Sequence, residues 1–178
     1  MLGWLLRACR RHDRYLAWNR LDAAPDTVQL TSPAFADGAA MPQRFAGTGV
    51  GENLSPPLAI AGVPPDADAL VLILQDPDAP VPRPVVHLIA WLAPATTALA
   101  EGALNAGAPI HFGRGSLGHS GYAGPRPVPG HGPHRYIFQL FAVRGVPPLP
   151  SRAGLKAVLR AINGHVIARG RCTGTYER

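Results

Sequence analysis

The chain has little of what several large protein classes depend on. Its 178 residues include two cysteines, Cys9 and Cys172, which stand at opposite ends without a CxxC pair. This pattern disfavours a disulfide framework or a zinc module, and we expect free thiols in a reducing, cytoplasmic compartment. No apolar run approaches the ~18 residues that a membrane span needs.

Nucleotide-binding and hydrolase motifs are also missing. Gly47, Gly49 and Gly51 are not followed by a helical pattern, so they do not form a dinucleotide fingerprint. The glycine-rich segment 113–124 lacks GK[ST], and neither of its serines lies in GxSxG. A nucleotide-hydrolase loop and a serine-hydrolase elbow are therefore disfavoured.

Positive charge is present, but it is not concentrated. The net charge is +6, and Lys156 is the only lysine among scattered arginines. No basic run is interleaved with aromatic residues as nucleic-acid binding requires. We therefore expect a solvated, arginine-rich surface and no nucleic-acid partner.

Glycine and proline are abundant, at 20 each, which favours short strands joined by irregular loops. Apolar runs predict buried strands over 69–74, 85–92 and 137–143, with a first strand near 27–30 and a last one near 171–176. An apolar stripe from Leu155 to Val166 predicts a helix capped by Ser151, interrupted at Asn163-Gly164 and stopped by Gly170.

Residues 1–25 read as a separate N-terminal amphipathic helical extension. Trp4, Ala8, Tyr15 and Trp18 recur at helical spacing, and four arginines give the helix a basic side. The apolar part is too short, and the charges stand too late, for a signal peptide. Three possibilities remain: packing on its own domain or a partner subunit, lying on an anionic membrane surface, or partial disorder.

Two stretches place polar side chains at strand ends. Asp76-Pro77-Asp78-Ala79-Pro80 follows the strand at 69–74, so two carboxylates stand where a core strand ends. They could serve a site, or they could only cap the turn. A proline- and glycine-rich loop over 121–133 leads into His134 and Tyr136, which are two residues apart and therefore face the same side of a strand.

Together these stretches resemble the phosphatidylethanolamine-binding protein family, in particular its bacterial, Raf-kinase-inhibitor-like branch. The matching motifs are DPDAP with a downstream histidine, GxxGPxP continuing to GxGPHRY, GxNxSPPL at 51–58, GH at 164–165 and GTYER at 174–178. They occur in order over about residues 27–178, and five together are highly specific. The resemblance does not cover the N-terminal extension.

The resemblance implies a β-rich α+β fold in one domain over 26–178, with a central antiparallel sheet, a second smaller sheet and peripheral helices. It also implies a small cavity that binds anions such as phospholipid head groups. The residues that match the family's pocket are Asp76, Asp78, His87, Pro127, His134 and Tyr136. Val128 departs from the proline usual in the family's wall.

These residue types suit anion binding. Protonated histidines and a tyrosine donate hydrogen bonds, and an aspartate beside a histidine fixes its tautomer and raises its pKa. Without the family, His87 in an apolar strand would more often be a satisfied core residue. Tyr136 could be core packing, and His131 with His134 and His87 could hold a metal, although we expect none and no cofactor.

We therefore expect a non-catalytic binder of small anions or phospholipid head groups, with a possible regulatory role. One alternative is an inhibitor of, or scaffold for, a kinase or protease, acting through the pocket rim. Another is an acid-base enzyme, such as a lyase, isomerase or cyclase, that uses the same pocket. Bacterial relatives are often dimers, and we expect a homodimer.

Overall fold

The computed structural model describes residues 12–146 and 149–178, and it forms two antiparallel sheets. The larger sheet has the order β6-β4-β3-β7-β8 and the smaller one β1-β2-β5. The predicted fold class is thus confirmed. The strands are β1 Gln29–Thr31, β2 Leu58–Ala61, β3 Ala69–Asp76, β4 Val85–Leu92, β5 Ala98–Leu99, β6 His111–Phe112, β7 His134–Val143 and β8 Val166–Tyr176.

Strand β3 lies at the centre of the larger sheet and is buried on both faces. Leu70, Leu72 and Leu74 face a core shared with the smaller sheet. Val71 and Ile73 face the opposite way, into a second core that contains the C-terminal helix. This two-sided burial explains why the strand reads as a continuous apolar run and not as an alternating pattern.

The C-terminal helix, α2, is shorter than the sequence predicted. It spans Leu155–Ile162, and its N-cap is Gly154, with no side-chain cap, so the cap predicted at Ser151 is wrong. Gly164 has φ +79° and ends the helix, because this left-handed conformation closes helices and suits glycine. The chain then enters β8, so Val166 and Gly170 belong to a strand and not to the helix.

The described part of the N-terminal segment packs on its own domain. A 3₁₀ turn, Asp13–Tyr15, is separated by extended Leu16 from a short helix, α1, Ala17–Arg20. Backbone N–H groups of Ala17 and Trp18 donate to the side-chain oxygens of Gln75 and Gln139, each at 2.8 Å. Trp4, Ala8 and Cys9 lie outside the described residues.

The outer edge of β8 is covered by two other parts of the chain. Arg169 exchanges backbone hydrogen bonds with Pro25 and Val28, and Thr175 does so with Ala39 and Met41. Glycines 170 and 174 permit this close approach, because a Cβ at either position would collide with Val28 or Met41. The longest described helix has eight residues, so no helix in this part of the chain can cross a membrane.

Candidate functional site

A cavity of about 460 Å³ opens where β3 ends and where β4 and β7 begin. Antiparallel pairing brings these strand ends together, since Asp76 pairs with Val85 and Gln75 with Ile137. The side chains on the wall that can carry charge or hydrogen bonds are Thr48, Asn53, Asp76, His87, His119, Ser120, Tyr122, Arg126, His134 and Tyr136.

A β-bulge aims His87 into this cavity. Leu74 pairs with Leu88 and Gln75 with Val86, so His87 is the additional residue on β4. Counting back by twos from Leu92 would place His87 on the far face of the sheet. The bulge changes that parity and re-aims the side chain, as bulges beside binding sites do.

His87 is held as a buried, neutral ring. Its Nδ1 lies 2.6 Å from the carbonyl oxygen of Ala123 and donates to it, and its ring meets Tyr136 edge-on at 5.2 Å between centroids. Burial lowers the pKa of His87, and this outweighs the opposing effect of the Asp76 charge. The charge of Asp76 thus raises the pKa of His87 as expected, but burial lowers it by more.

Asp76 is the most fully bonded group on the wall. Its Oδ1 accepts hydrogen bonds from the backbone N–H groups of Asp78 and Ala79, at 2.8 and 3.1 Å. Its Oδ2 accepts one from His134 Nδ1 at 2.8 Å. The carboxylate thus caps the turn and orients a histidine on the cavity wall at once.

His131 extends this chain of contacts, although the sequence suggested only a metal-binding role for it. Its Nδ1 lies 2.7 Å from Nε2 of His134, and both rings are buried. At this distance one ring nitrogen donates a hydrogen bond to the other, so the two rings are directly linked. No group of three His, Cys, Asp or Glu side chains in the described ranges is arranged to hold a metal.

The structure places Asp78 away from the cavity. Both of its carboxylate oxygens accept from the guanidinium of Arg135, at 2.8 and 2.9 Å, and that guanidinium also contacts both oxygens of Asp13. These carboxylates raise the pKa of Arg135, chiefly through hydrogen bonding to Asp78. Arg135, held by Asp78, therefore fastens the N-terminal segment to β7 through Asp13, which the spacing DPD could not reveal.

The remaining predicted residues lie on the wall. Tyr136 is fully buried, and burial together with the negative charge of Asp76 raises its pKa, so it stays a neutral donor. Pro127 is buried and Val128 half-buried on the same wall. Asp76, His87, Pro127, His134 and Tyr136 thus share one cavity.

Wall residues outside the predicted ligand-binding set include Tyr122 and Arg126. Tyr122 is buried, its hydroxyl donates to the carbonyl oxygen of Phe45 at 2.8 Å, and burial raises its pKa. Arg126 is exposed and stands at the mouth. Their position inside the motif over 121–136 was the available signal, but nothing in the spacing separated them from ordinary loop residues.

Comparison with known proteins agrees with this architecture. The family model described as phosphatidylethanolamine-binding protein matches residues 31–177. A UPF0098 protein of Pyrococcus horikoshii is 38% identical over 152 residues, covering 83% of this chain and 75% of the relative.

Solved structures agree as well. The structure of a phosphatidylethanolamine-binding protein homolog from Chlamydia trachomatis matches with TM-score 0.77 and 35% identity, covering 86% of this chain and 99% of that one. YbcL of Escherichia coli matches with TM-score 0.79 and 27% identity, covering 85% of this chain and 99% of that one. On the evidence of the family model and of these relatives, the chain belongs to the phosphatidylethanolamine-binding protein family.

Proposed function

We propose that the cavity binds a small anion, in particular the phosphate of a phospholipid head group, without transforming it. One observation carries the proposal. His87 lines the cavity and donates through Nδ1 to Ala123, so its Nε2 is the ring nitrogen available to a ligand inside the cavity. On accepting a proton, this ring becomes a cation that donates to an anion. Arg126 at the mouth supplies a permanent positive charge.

The mouth of the cavity also suits a lipid. Leu117 is 90% exposed and stands on the wall, close in the sequence to the cavity residues His119 and Ser120. An apolar side chain so exposed at a pocket entrance offers a surface to the first part of an acyl chain. A head group inside and an acyl chain outside would use both kinds of surface.

The test is calorimetric titration with phosphorylethanolamine, inorganic phosphate and acetate at neutral and mildly acidic pH. Because burial lowers the pKa of His87, an anion that needs the cationic ring must bind together with a proton. We expect affinity to rise as the pH falls through and below 6.5, the ordinary histidine value. Repeating the titration in buffers of different ionisation enthalpy measures this proton uptake directly.

Two variants make the test specific. His87→Asn keeps a donor for the carbonyl of Ala123 but cannot become a cation, so it should lose the rise in affinity at acid pH. Arg114→Ala removes a positive charge at an exposed arginine that does not line the cavity, so its affinity should stay near that of the parent. Equal affinity in the parent and His87→Asn at every pH would contradict the proposal.

The coupled histidines favour a second candidate, acid-base chemistry on a small bound substrate. Asp76, His134 and His131 form a continuous hydrogen-bonded chain that could move a proton to or from the cavity. Under this reading, turnover of a small substrate should disappear in His134→Gln and weaken in His131→Gln. Saturable binding with no change in the bound molecule, followed by NMR, would favour the binding function instead.

A further inference from the structure

The opposite face of the central sheet contains a buried amide with one unused donor. Gln75 is 0% exposed, and its Oε1 accepts from Ala17 N–H at 2.8 Å and from Gln139 Nε2 at 3.1 Å. Its Nε2 has no hydrogen-bond partner among residues 12–146 and 149–178. Buried amide donors are nearly always paired, so this one indicates a partner that the chain does not supply.

Turning the amide over does not provide that partner. Ala17 N–H requires an oxygen from Gln75, and Trp18 N–H requires the oxygen of Gln139. The second requirement leaves Gln139 Nε2 to donate to Gln75 Oε1. Two backbone donors thus fix both amides, and Nε2 of Gln75 must point away from them.

Gln75 is part of the wall of a second cavity of about 460 Å³. Three cationic side chains, Arg20, Arg83 and Lys156, stand on the same wall, and no aspartate or glutamate does. None of these cations takes part in an ion pair within the described ranges, and residues 1–11 contain no acidic side chain. The positive charge of this cavity is therefore not neutralised locally.

Further donors stand on the same wall. Ser116 accepts from the backbone N–H of Val86 at 2.8 Å, which leaves its own hydroxyl hydrogen to donate. Helix α2 begins at Leu155 without a side-chain cap, and Leu155 and Lys156 both line the cavity. The first turn of a helix favours an anion, because its N–H groups point outward and its dipole is positive there.

We propose that this second cavity is a phosphate site, independent of the cavity that contains His87. Its donors include an amide, a hydroxyl and three cations, which is more than the two oxygens of a carboxylate accept easily. A tetrahedral phosphate offers acceptors in several directions and suits arginine and lysine together. The phosphate can belong to a soluble phosphomonoester, to inorganic phosphate or to a lipid head group.

The first experiment is an NMR titration of the full chain with inorganic phosphate, following the side-chain amide of Gln75. We expect the Gln75 amide signals to shift with saturation, because Nε2 gains an acceptor. Movement of signals around His87 alone, with the Gln75 amide unchanged, would overturn the proposal and leave the first cavity as the only phosphate site.

Matched variants test which cationic side chains contribute to phosphate binding. Arg83→Ala and Lys156→Ala should each weaken phosphate binding at this site about tenfold, since each removes a charged hydrogen-bond donor. Arg160→Ala removes the same charge from an exposed position of α2 that does not line this cavity, and it should change the affinity less than about twofold. Equal losses in all three variants would show nonspecific attraction and would overturn the proposal.

Gln75→Glu tests the orphan donor itself. The glutamate keeps an oxygen for Ala17 N–H but replaces Nε2 with a second, negatively charged oxygen, so phosphate binding should disappear. A thermal melt checks that this variant folds, and if it does not, the two cation variants decide. Retained binding in folded Gln75→Glu would overturn the proposal.

A vesicle arm distinguishes the sources of the phosphate. Phosphatidylcholine vesicles with and without phosphatidic acid are sedimented with the parent and with Lys156→Ala. If the site takes lipid phosphate, the parent should bind vesicles with phosphatidic acid more than those without it, and Lys156→Ala should lose much of that difference. If the site takes soluble phosphate, Lys156→Ala should sediment as the parent does with both kinds of vesicle, while the NMR titration still saturates.

Discussion

The two faces of the central sheet differ in how completely a buried polar side chain is hydrogen-bonded. The two side chains compared belong to consecutive residues of β3. On one face, Asp76 accepts three hydrogen bonds from Asp78, Ala79 and His134, so its carboxylate is well satisfied. On the other face, Gln75 satisfies only its oxygen and leaves Nε2 without a partner in the described part of the chain.

Asp76 therefore contributes to the fold through its hydrogen bonds, whereas Gln75 keeps a donor for the proposed phosphate. A buried group with all its partners stabilises the fold, whereas a buried donor without one costs free energy until something binds. Substitutions at the two positions should therefore differ both in size and in their response to ligand.

The largest effect should come from Asp76→Ala. The substitution removes the acceptor for two turn N–H groups and for His134, all of them buried, and we expect a loss of about 3–5 kcal/mol in the free energy of unfolding. Urea unfolding at neutral pH measures it. Asp76→Asn retains an oxygen for the turn and should lose less; an equal loss would contradict the importance of those turn bonds.

Gln75→Met should cost less, about 1–3 kcal/mol, because Ala17 N–H and Gln139 Nε2 lose their acceptor while an unpaired donor disappears with them. Unfolding in urea gives the total. Hydrogen exchange should show faster exchange at Ala17 than in the parent, and unchanged exchange there would mean that α1 does not depend on the Gln75 bond.

The next effect in size is a change of stability with pH, which we expect from His87 on the face that contains the first cavity. The folded-state pKa of His87 is lowered from 6.5, so the unfolded chain binds more protons, and stability is present above 6.5 and is lost as the pH falls below it. The loss from this group approaches about 1.4 kcal/mol per pH unit. His87→Asn should flatten this part of the curve, and an unchanged slope would assign it to other groups.

The smallest effect should follow Asp13→Asn. The carboxylate of Asp13 is 40% exposed and pairs with Arg135, so we expect a loss of about 0.2–1 kcal/mol that shrinks with added salt. Melts at low and high salt measure it. A loss that does not depend on salt would mean that Asp13 acts through packing instead.

The sequence predicted β3, β4 and β7 well, because continuous apolar runs such as 69–74 and 85–92 reflect burial on both faces. It missed the two-residue strand β6 and the first half of β8. It overextended α2, because Val166 fits the helical stripe as well as it fits a strand. In the structure Gly164 has φ +79° and ends the helix, and Val166 pairs with Val143 in the sheet.

The candidate site was predictable where motifs fall at strand ends, as at Asp76, His134 and Tyr136. The orientation of His87 depends on a bulge in the pairing of β3 with β4, which no local pattern in β4 announces. The second cavity is lined by residues from α1, the β3–β4 region, the loop that contains Ser116, and α2. These residues are far apart in the sequence, so no local spacing could reveal the cavity.

The covered edge of β8 has a consequence for self-association. Exposed strand edges are the usual route by which sheets join edge to edge, in dimers and in aggregates. At Arg169 and Thr175 that route is closed by the chain's own segments, which occupy the positions that a second copy would take. A homodimer of this protein would therefore not form by extending the sheet at these positions of β8.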